Sequence, residues 1–329
     1  MKKIVVFDTS YGSYNMGDYI INECAQLELK DIVSGSFCYR VGTHTPVMHA
    51  YQFNKRRKPV KFFIDSKYKF LTGTNIIKKT MLWPWPDWNV NIFNCKPYKG
   101  TILVGVGLSG EFTRTDLYTK VLYKKILNKD YYHATRDEKT KKYLESIGLK
   151  AINTGCPTLW GIDDNLCKQI PAKKSDTVVF TLTDYRKDKA KDQILIDTLV
   201  NNYKNVYIWI QGSNDYEYFN SFDNIERIKM IDPNIQAYGD FLNKTDTDYV
   251  GTRLHAGIYA IRHKRKSIIL AVDNRTRDMK ETYNLVTLER NEIDKLDAMI
   301  NSEFETHIVV DKESINKWKS QFIPGDDNE

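Results

Sequence analysis

Short β-branched runs recur along the chain between longer amphipathic or charged stretches, and this alternation limits the fold more than any other feature. KKIVVFD (2–8), TILVGVG (101–107), TVVFTLT (177–183), NVYIWIQ (205–211) and SIILAVD (267–273) read as buried strands. Between them, YIINECAQLELKDI (19–32), DEKTKKYLESIG (137–148), KDKAKDQILIDTLVNNY (187–203) and EIDKLDAMINSE (292–303) read as helices. Strand and helix alternating in both halves predicts an α/β protein of two domains with mainly parallel sheets. A chain of 329 residues has room for two such cores. The polar stretch DDNLCKQIPAKKSD (163–176) contains Pro171 and precedes a fresh strand, which places the domains at 1–172 and 173–329. Residues 44–96, with WPWPDW (83–88) and FNKRRKPVKFF (53–63), fit no clean period and read as loops and irregular strands.

Charge and cysteine usage narrow the partners. An excess of 49 basic over 42 acidic residues is too mild to require nucleic acid, yet it suits an anionic ligand or an anionic membrane surface. The opening MKKIVVFD loses its apolar character at Asp8, short of a signal-peptide core, and no later stretch approaches the ~18 apolar residues of a spanning helix. A cytoplasmic protein is the expectation. The five cysteines show neither CxxC nor His-paired spacing, so reduced, mostly buried thiols are expected and no zinc site.

In open parallel sheets, ligands gather beyond the C-terminal ends of strands, so the turns there hold the candidate chemistry. The first turn, TSYGSYNMGDYII (9–21), has neither GxGxxG nor P-loop spacing. Asp18 in it reads either as the N-cap of a helix starting at Tyr19 or as an acceptor-binding or basic carboxylate. In YYHATRDEKTKKY (131–143), Asp137 and Glu138 complement a helix dipole, whereas Arg136 at the positive helix end is locally unfavourable by ~0.3–1 kcal/mol. Either an anionic ligand or an ion pair with Asp137, Glu138 or a neighbouring segment offsets it. In YVGTRLHAGIYAI (249–261), Leu254, Ile258 and Ile261 form one helical stripe, and Ala256, Gly257 and Ala260 allow close packing on a sheet. Arg253 and His255 then lie in the first turn and face the crevice. Together with Arg136 they point to a ligand carrying more than one negative charge. The basic run RHKRK (262–266) falls at the helix's far end, where the dipole favours cations, and reads as structural.

NMGDYII, RDEKTKKYLESIGL with the following GCPTLW, and YVGTRLHAGIYAI with SIILAVDNR downstream occur in the order that resembles the polysaccharide pyruvyl transferase family. The resemblance covers most of the chain outside 44–96. It implies two Rossmann-like domains in a glycosyltransferase-B-like arrangement with an interdomain cleft, phosphoenolpyruvate as donor, and a sugar of a capsule, cell-wall or other glycan repeat as acceptor. By motif, Arg136, Arg253, Leu254 and His255 correspond to residues that bind the donor's phosphate and carboxylate.

The donor's chemistry suits these residue types. Phosphoenolpyruvate presents about three negative charges within a few ångströms, and arginine forks match carboxylate and phosphate where lysine does not. Transfer of the carbon skeleton needs an acid at the methylene carbon, for which His255, with a reference pKa of ~6.5 raised beside a dianion, is the candidate. His255 serves alternatively as a contact to the leaving phosphate. Asp18 is the candidate base, and no metal or redox cofactor is called for. Acceptor contacts are expected from Asn15, Gly17, Asp18, Gln211 and Arg275. For the last two, a strand-ending turn and an ion pair with Asp273 are the competing explanations. A lipid-linked acceptor would bring the chain to a membrane, against which the basic stretch 53–61 would lean unless it is a solvated loop. Two other functions fit the same turns. One is a nucleotide-sugar glycosyltransferase, disfavoured because no clear carboxylate follows Arg253. The other is a non-catalytic anion- or glycan-binding protein.

Overall fold

The computed structural model describes residues 1–49, 52, 57–83, 85, 87–111 and 114–323. Residues 53–56 of the basic stretch, and Pro84 and Pro86 of WPWPDW, lie outside the described residues. The chain divides into two compact units: Met1–Ser13, Ile21–Trp160 and Asp311–Glu329 form the first, Tyr14–Ile20 and Gly161–Val310 the second.

In the first unit, β1 (Lys2–Asp8) pairs in parallel with β2 (Ser36–Gly42) and β3 (Tyr68–Thr72), and β3 pairs with β5 (Thr101–Val104), giving the order β2-β1-β3-β5. Two short parallel pairs complete it, β4 (Ile77–Lys78) with β6 (Leu108–Ser109) and β7 (His133–Thr135) with β8 (Ala151–Asn153). Helices α1 (Met16–Val33), α2 (Arg57–Ile64), α3 (Leu117–Ile126) and α4 (Glu138–Ser146) connect them. The reading of 44–96 as loops and irregular strands is thus corrected at two points, α2 and the fully buried β3. Lys69 hides β3 in the sequence. Its ammonium emerges from the sheet to donate to Lys99 O at 2.8 Å, and burial lowers its pKa.

The second unit carries a six-stranded parallel sheet in the order β11-β10-β9-β12-β13-β14. Its strands are β9 (Thr177–Thr181), β10 (Asn205–Trp209), β11 (Lys229–Ile231), β12 (Asp248–Gly251), β13 (Ser267–Ala271) and β14 (Thr287–Glu289). Counted within the unit this is 3-2-1-4-5-6, the doubly wound order, with its reversal between β9 and β12. The helices include α5 (Lys189–Asn202), α6 (Leu254–Arg262) and α7 (Asn274–Tyr283). The expected helix over 292–303 is instead a 3-10 stretch, Arg290–Lys295, kinked at Glu292 into the short helix Leu296–Asn301. A Cβ on Gly257 would come within 2.5 Å of Ile269 and 2.8 Å of Tyr249, so α6 packs on the sheet at a distance only glycine permits.

The boundary also differs from the expected 172/173. The first unit ends at Trp160 and takes back the last part of the chain, including α8 (Lys312–Ser320). Trp318 on α8 is fully buried, packs against Trp160 and Phe322 at centroid distances of 5.5 and 4.9 Å, and donates its indole N–H to Tyr132 O at 2.8 Å. Burial of one large ring draws the whole segment back, a tertiary effect that linker composition does not announce. Four cysteines are buried and Cys38, on the exposed strand β2, is not.

Candidate functional site

The site is built where the second sheet reverses. Gly251 closes β12 so tightly against β9 that a Cβ there would lie 2.6 Å from Thr181 Oγ1 and 2.7 Å from Thr181 N. Thr252 N then donates to Thr181 O at 3.1 Å and Arg253 N to Thr181 Oγ1 at 3.2 Å, while Tyr249 Oη donates to Arg253 O at 2.8 Å. The backbone of the turn entering α6 is therefore held on both sides, by Thr181 and by the Tyr249 hydroxyl, before the side chain of Arg253 is considered. Arg253 occupies the N-cap position without capping through its side chain.

The guanidinium turns instead into a nest of acceptors. Nε donates to Leu182 O at 2.9 Å and to Asp215 Oδ2 at 3.0 Å, while Nη2 reaches Asp184 Oδ1 at 3.0 Å and also bonds Asp215 Oδ1. Asp215 is itself oriented by Gly212 N at 2.8 Å and Asp184 N at 3.0 Å. The Tyr185 ring lies 4.9 Å from the guanidinium carbon. Arg253 is only 3 % exposed and Asp215 1 %, so the pair is shielded from water. Burial pushes the Asp215 carboxyl up, with Arg253 pulling against it. In Asp184 burial is outweighed by the bond to Asp215 and the charge of Arg253, and its carboxyl is held below the usual range. The fork expected to grip a ligand thus grips two carboxylates of the chain itself in this structure. Neither carboxylate stands in the turn after Arg253. They come from the loops after β9 and β10, and acidic residues just past those two strands were the available signal.

The same network gathers several of the predicted acceptor residues. Asn15 forms an isolated antiparallel bridge with Gly212, Met16 N donates to Gln211 O at 2.8 Å, and Ser213 N donates to Tyr14 O at 3.1 Å. The side chain of Gln211 donates to Asn15 Oδ1 at 2.9 Å, an atom that also accepts from Gly17 N at 3.0 Å. Asn15 therefore stands at the start of α1, and the reading of Asp18 as N-cap of a helix beginning at Tyr19 is corrected. Helix α1 begins at Met16, and Asp18 is its third residue, with its N–H on Asn15 O at 3.0 Å. A Cβ on Gly212 would approach Arg253 Nη2 to 2.4 Å, which is why the loop after β10 needs glycine there. Arg275 bonds Asp273 at 2.7 Å, the expected ion pair, and Tyr185 Oη at 3.0 Å. Leu254 and His255 are the first two residues of α6, each 9 % exposed.

Arg136 belongs to the first unit, just past β7. Its backbone N–H donates to Val106 O at 3.1 Å, and its Nε lies 3.7 Å from Asp137 Oδ2. Asp137 caps α4 through Thr140 N at 2.7 Å. The intra-chain ion pair weighed against an anionic ligand is therefore present. A Cβ on Gly107 would fall 2.2 Å from Asn75 Oδ1 and 2.6 Å from Arg136 Nε, so Gly107 leaves the room in which these two polar groups converge. Asn75 Oδ1 is buried without a hydrogen-bond partner among the described residues. Sequence reading singled out neither Asn75 nor Gly107.

The sequence model of the family described as polysaccharide pyruvyl transferase matches residues 15–274. No curated protein matches. Among solved structures, the chain is similar to the MnaA–UDP co-structure from S. aureus, at 11% identity over 98% of each chain with a TM-score of 0.50. It is also similar to the UDP-GlcNAc 2-epimerase of Methanocaldococcus jannaschii in complex with UDP-GlcNAc and UDP, at 11% identity over 98% of this chain and 99% of that one, TM-score 0.49. The first of these likenesses shows the fold, that of glycosyltransferase-B enzymes, and nothing beyond it.

Proposed function

The chain belongs to the polysaccharide pyruvyl transferase family, and from that premise we propose that it transfers the enolpyruvyl group of phosphoenolpyruvate to a sugar of a surface glycan, forming a pyruvate ketal and releasing phosphate. The observation that carries the reading is the position of Arg253, Leu254 and His255 at the reversal of the second sheet, where α6 begins and its dipole favours an anion. Leu254 and His255 are assigned to the donor through the first amides of α6. Arg253, already ligated by Asp215 and Asp184, sets the direction of that turn and so holds those amides toward the donor. Arg136 is assigned as a further cation for the donor's anionic groups.

In this reading His255 delivers a proton to the methylene carbon of the donor, which leaves C2 electrophilic. One sugar hydroxyl forms a C–O bond at C2, its proton passing to a base for which Asp18 is the candidate. The C2–O bond to phosphate then breaks with its electron pair leaving on phosphate, and a second hydroxyl of the same sugar closes the ketal at C2, its proton passing to the imidazole of His255 left neutral by the first step. Asn15, Gly17, Gln211 and Arg275 are assigned to the acceptor, on the ground that all four join the hydrogen-bonded network around Arg253 and Tyr185. The test pairs a thermal shift with a turnover assay. Stabilisation by phosphoenolpyruvate, and phosphate release that requires a glycan acceptor, are the expected results. Stabilisation by nucleotide-sugars alone would replace the reading with a glycosyltransferase, and binding without acceptor-dependent release would replace it with a binding protein.

A further inference from the structure

The first unit leaves an unusual group of large apolar side chains in water. Leu82, Trp83, Phe93, Leu117 and Val121 are 59, 71, 81, 76 and 46 % exposed. They are not scattered. Met81 N donates to Thr119 Oγ1 at 2.6 Å and Ile92 N to Tyr118 Oη at 3.2 Å, so the loops carrying Leu82, Trp83 and Phe93 are both fastened to the first turn of α3. Leu117 and Val121 stand four residues apart on that helix, one turn above the other. Isolated exposed hydrophobics need no explanation, but a group tied to one helix end marks an interaction surface.

The charges on the same elements select the occupant. Lys79, Arg114, Lys124 and Lys125 are exposed and Lys120 is half-buried. The acids in these stretches are engaged: Asp116 caps α3 through Thr119 N and Oγ1, both at 2.8 Å, and Asp87 pairs with Lys78 at 2.7 Å. An apolar centre with an exposed indole and a basic rim is the chemistry of an interfacial membrane contact. A two-fold contact with a second copy would set the five basic residues against their own kind. We propose that this face seats the protein on an anionic lipid bilayer. Among the described residues no helix is long and apolar enough to cross a membrane, so the contact is peripheral. It does not rest on the donor reading.

The experiment is co-sedimentation with vesicles of equal parts phosphatidylglycerol and phosphatidylcholine, compared with phosphatidylcholine alone. The wild-type chain is expected to bind the anionic vesicles and to be released in part by salt. A triple variant, Trp83→Ser, Phe93→Ser and Leu117→Ser, keeps its thermal transition, since these side chains are exposed, and loses partitioning by roughly tenfold or more. Replacing Lys120, Lys124 and Lys125 by Gln weakens binding by about fivefold per charge. Wild-type indifference to both vesicles, or equal partitioning by the apolar variant, overturns the proposal. So does a sedimenting dimer that the apolar variant dissolves, which would assign the face to a second copy.

Discussion

Helix α6 has a buried cation at each end, and the two are held differently. Before its first turn, Arg253 is ligated by the side chains of Asp184 and Asp215 from two loops, together with one carbonyl. Beyond its last turn, Lys266 donates to two backbone carbonyls, Ala172 O at 2.9 Å and Ser302 O at 2.7 Å, and burial lowers its pKa. Carbonyl ligands are fixed by the fold itself. Asp184 and Asp215 open a 3-10 turn and a short helix and present ionisable side chains, so equal burial conceals carbonyl ligands at one end and carboxylate ligands, for which an anionic ligand competes, at the other.

Four measurements bear on that contrast. Lys266→Ala strands two carbonyls that each accept a charged hydrogen bond. At ~1.5–3 kcal/mol per bond, the second unit is expected to lose about 3–6 kcal/mol, a fall of about ten degrees or more in melting temperature, with turnover per folded molecule unchanged. A loss of turnover alone would make that end functional as well. His255→Ala is expected to cut acceptor-dependent phosphate release by roughly 10²-fold, about 2.7 kcal/mol of barrier, with little change in melting temperature. Retained turnover removes His255 from the chemistry.

The third measurement concerns Asp248, at the start of β12 on the Lys266 side. Burial pushes its carboxyl up to about 6, with the bond from Tyr203 Oη at 2.8 Å opposing. Because the folded value exceeds the ordinary carboxylate value, the folded state holds this proton more tightly. The associated stability is present below about pH 4 and lost as pH rises through about 6, roughly 3 kcal/mol in all. Asp248→Asn should flatten the difference in urea midpoint across that window, and an unaltered pH slope would place the titration elsewhere. Arg253→Lys is last, with an expected rise of about tenfold in half-saturation for phosphoenolpyruvate because the planar fork is lost. A change confined to stability would make the two helix ends equivalent.

What was legible in the sequence follows from how local its cause is. Each of β1, β5, β9, β10 and β13 begins at the first residue of its apolar run, because parallel strands buried on both faces are continuous in sequence. The runs from β5 onward overshoot by two or three residues, and those extra residues are the site turns. Strand β3 was obscured by Lys69, whose charge is satisfied thirty residues away. The partners of Arg253 were equally out of reach. Asp184 and Asp215 lie 69 and 38 residues before it, and only the strand order brings their loops together.

The return of α8 to the first unit has a consequence for biosynthesis. By the time residue 310 is made, every residue of the second unit has left the ribosomal active site, whereas the first unit still lacks Trp318 and Phe322. Their rings pack against Phe70 at 6.4 and 5.3 Å. The core of the first unit therefore cannot be completed until residues made after the whole of the second unit are available, with β3 awaiting an aromatic cover made some 250 residues later.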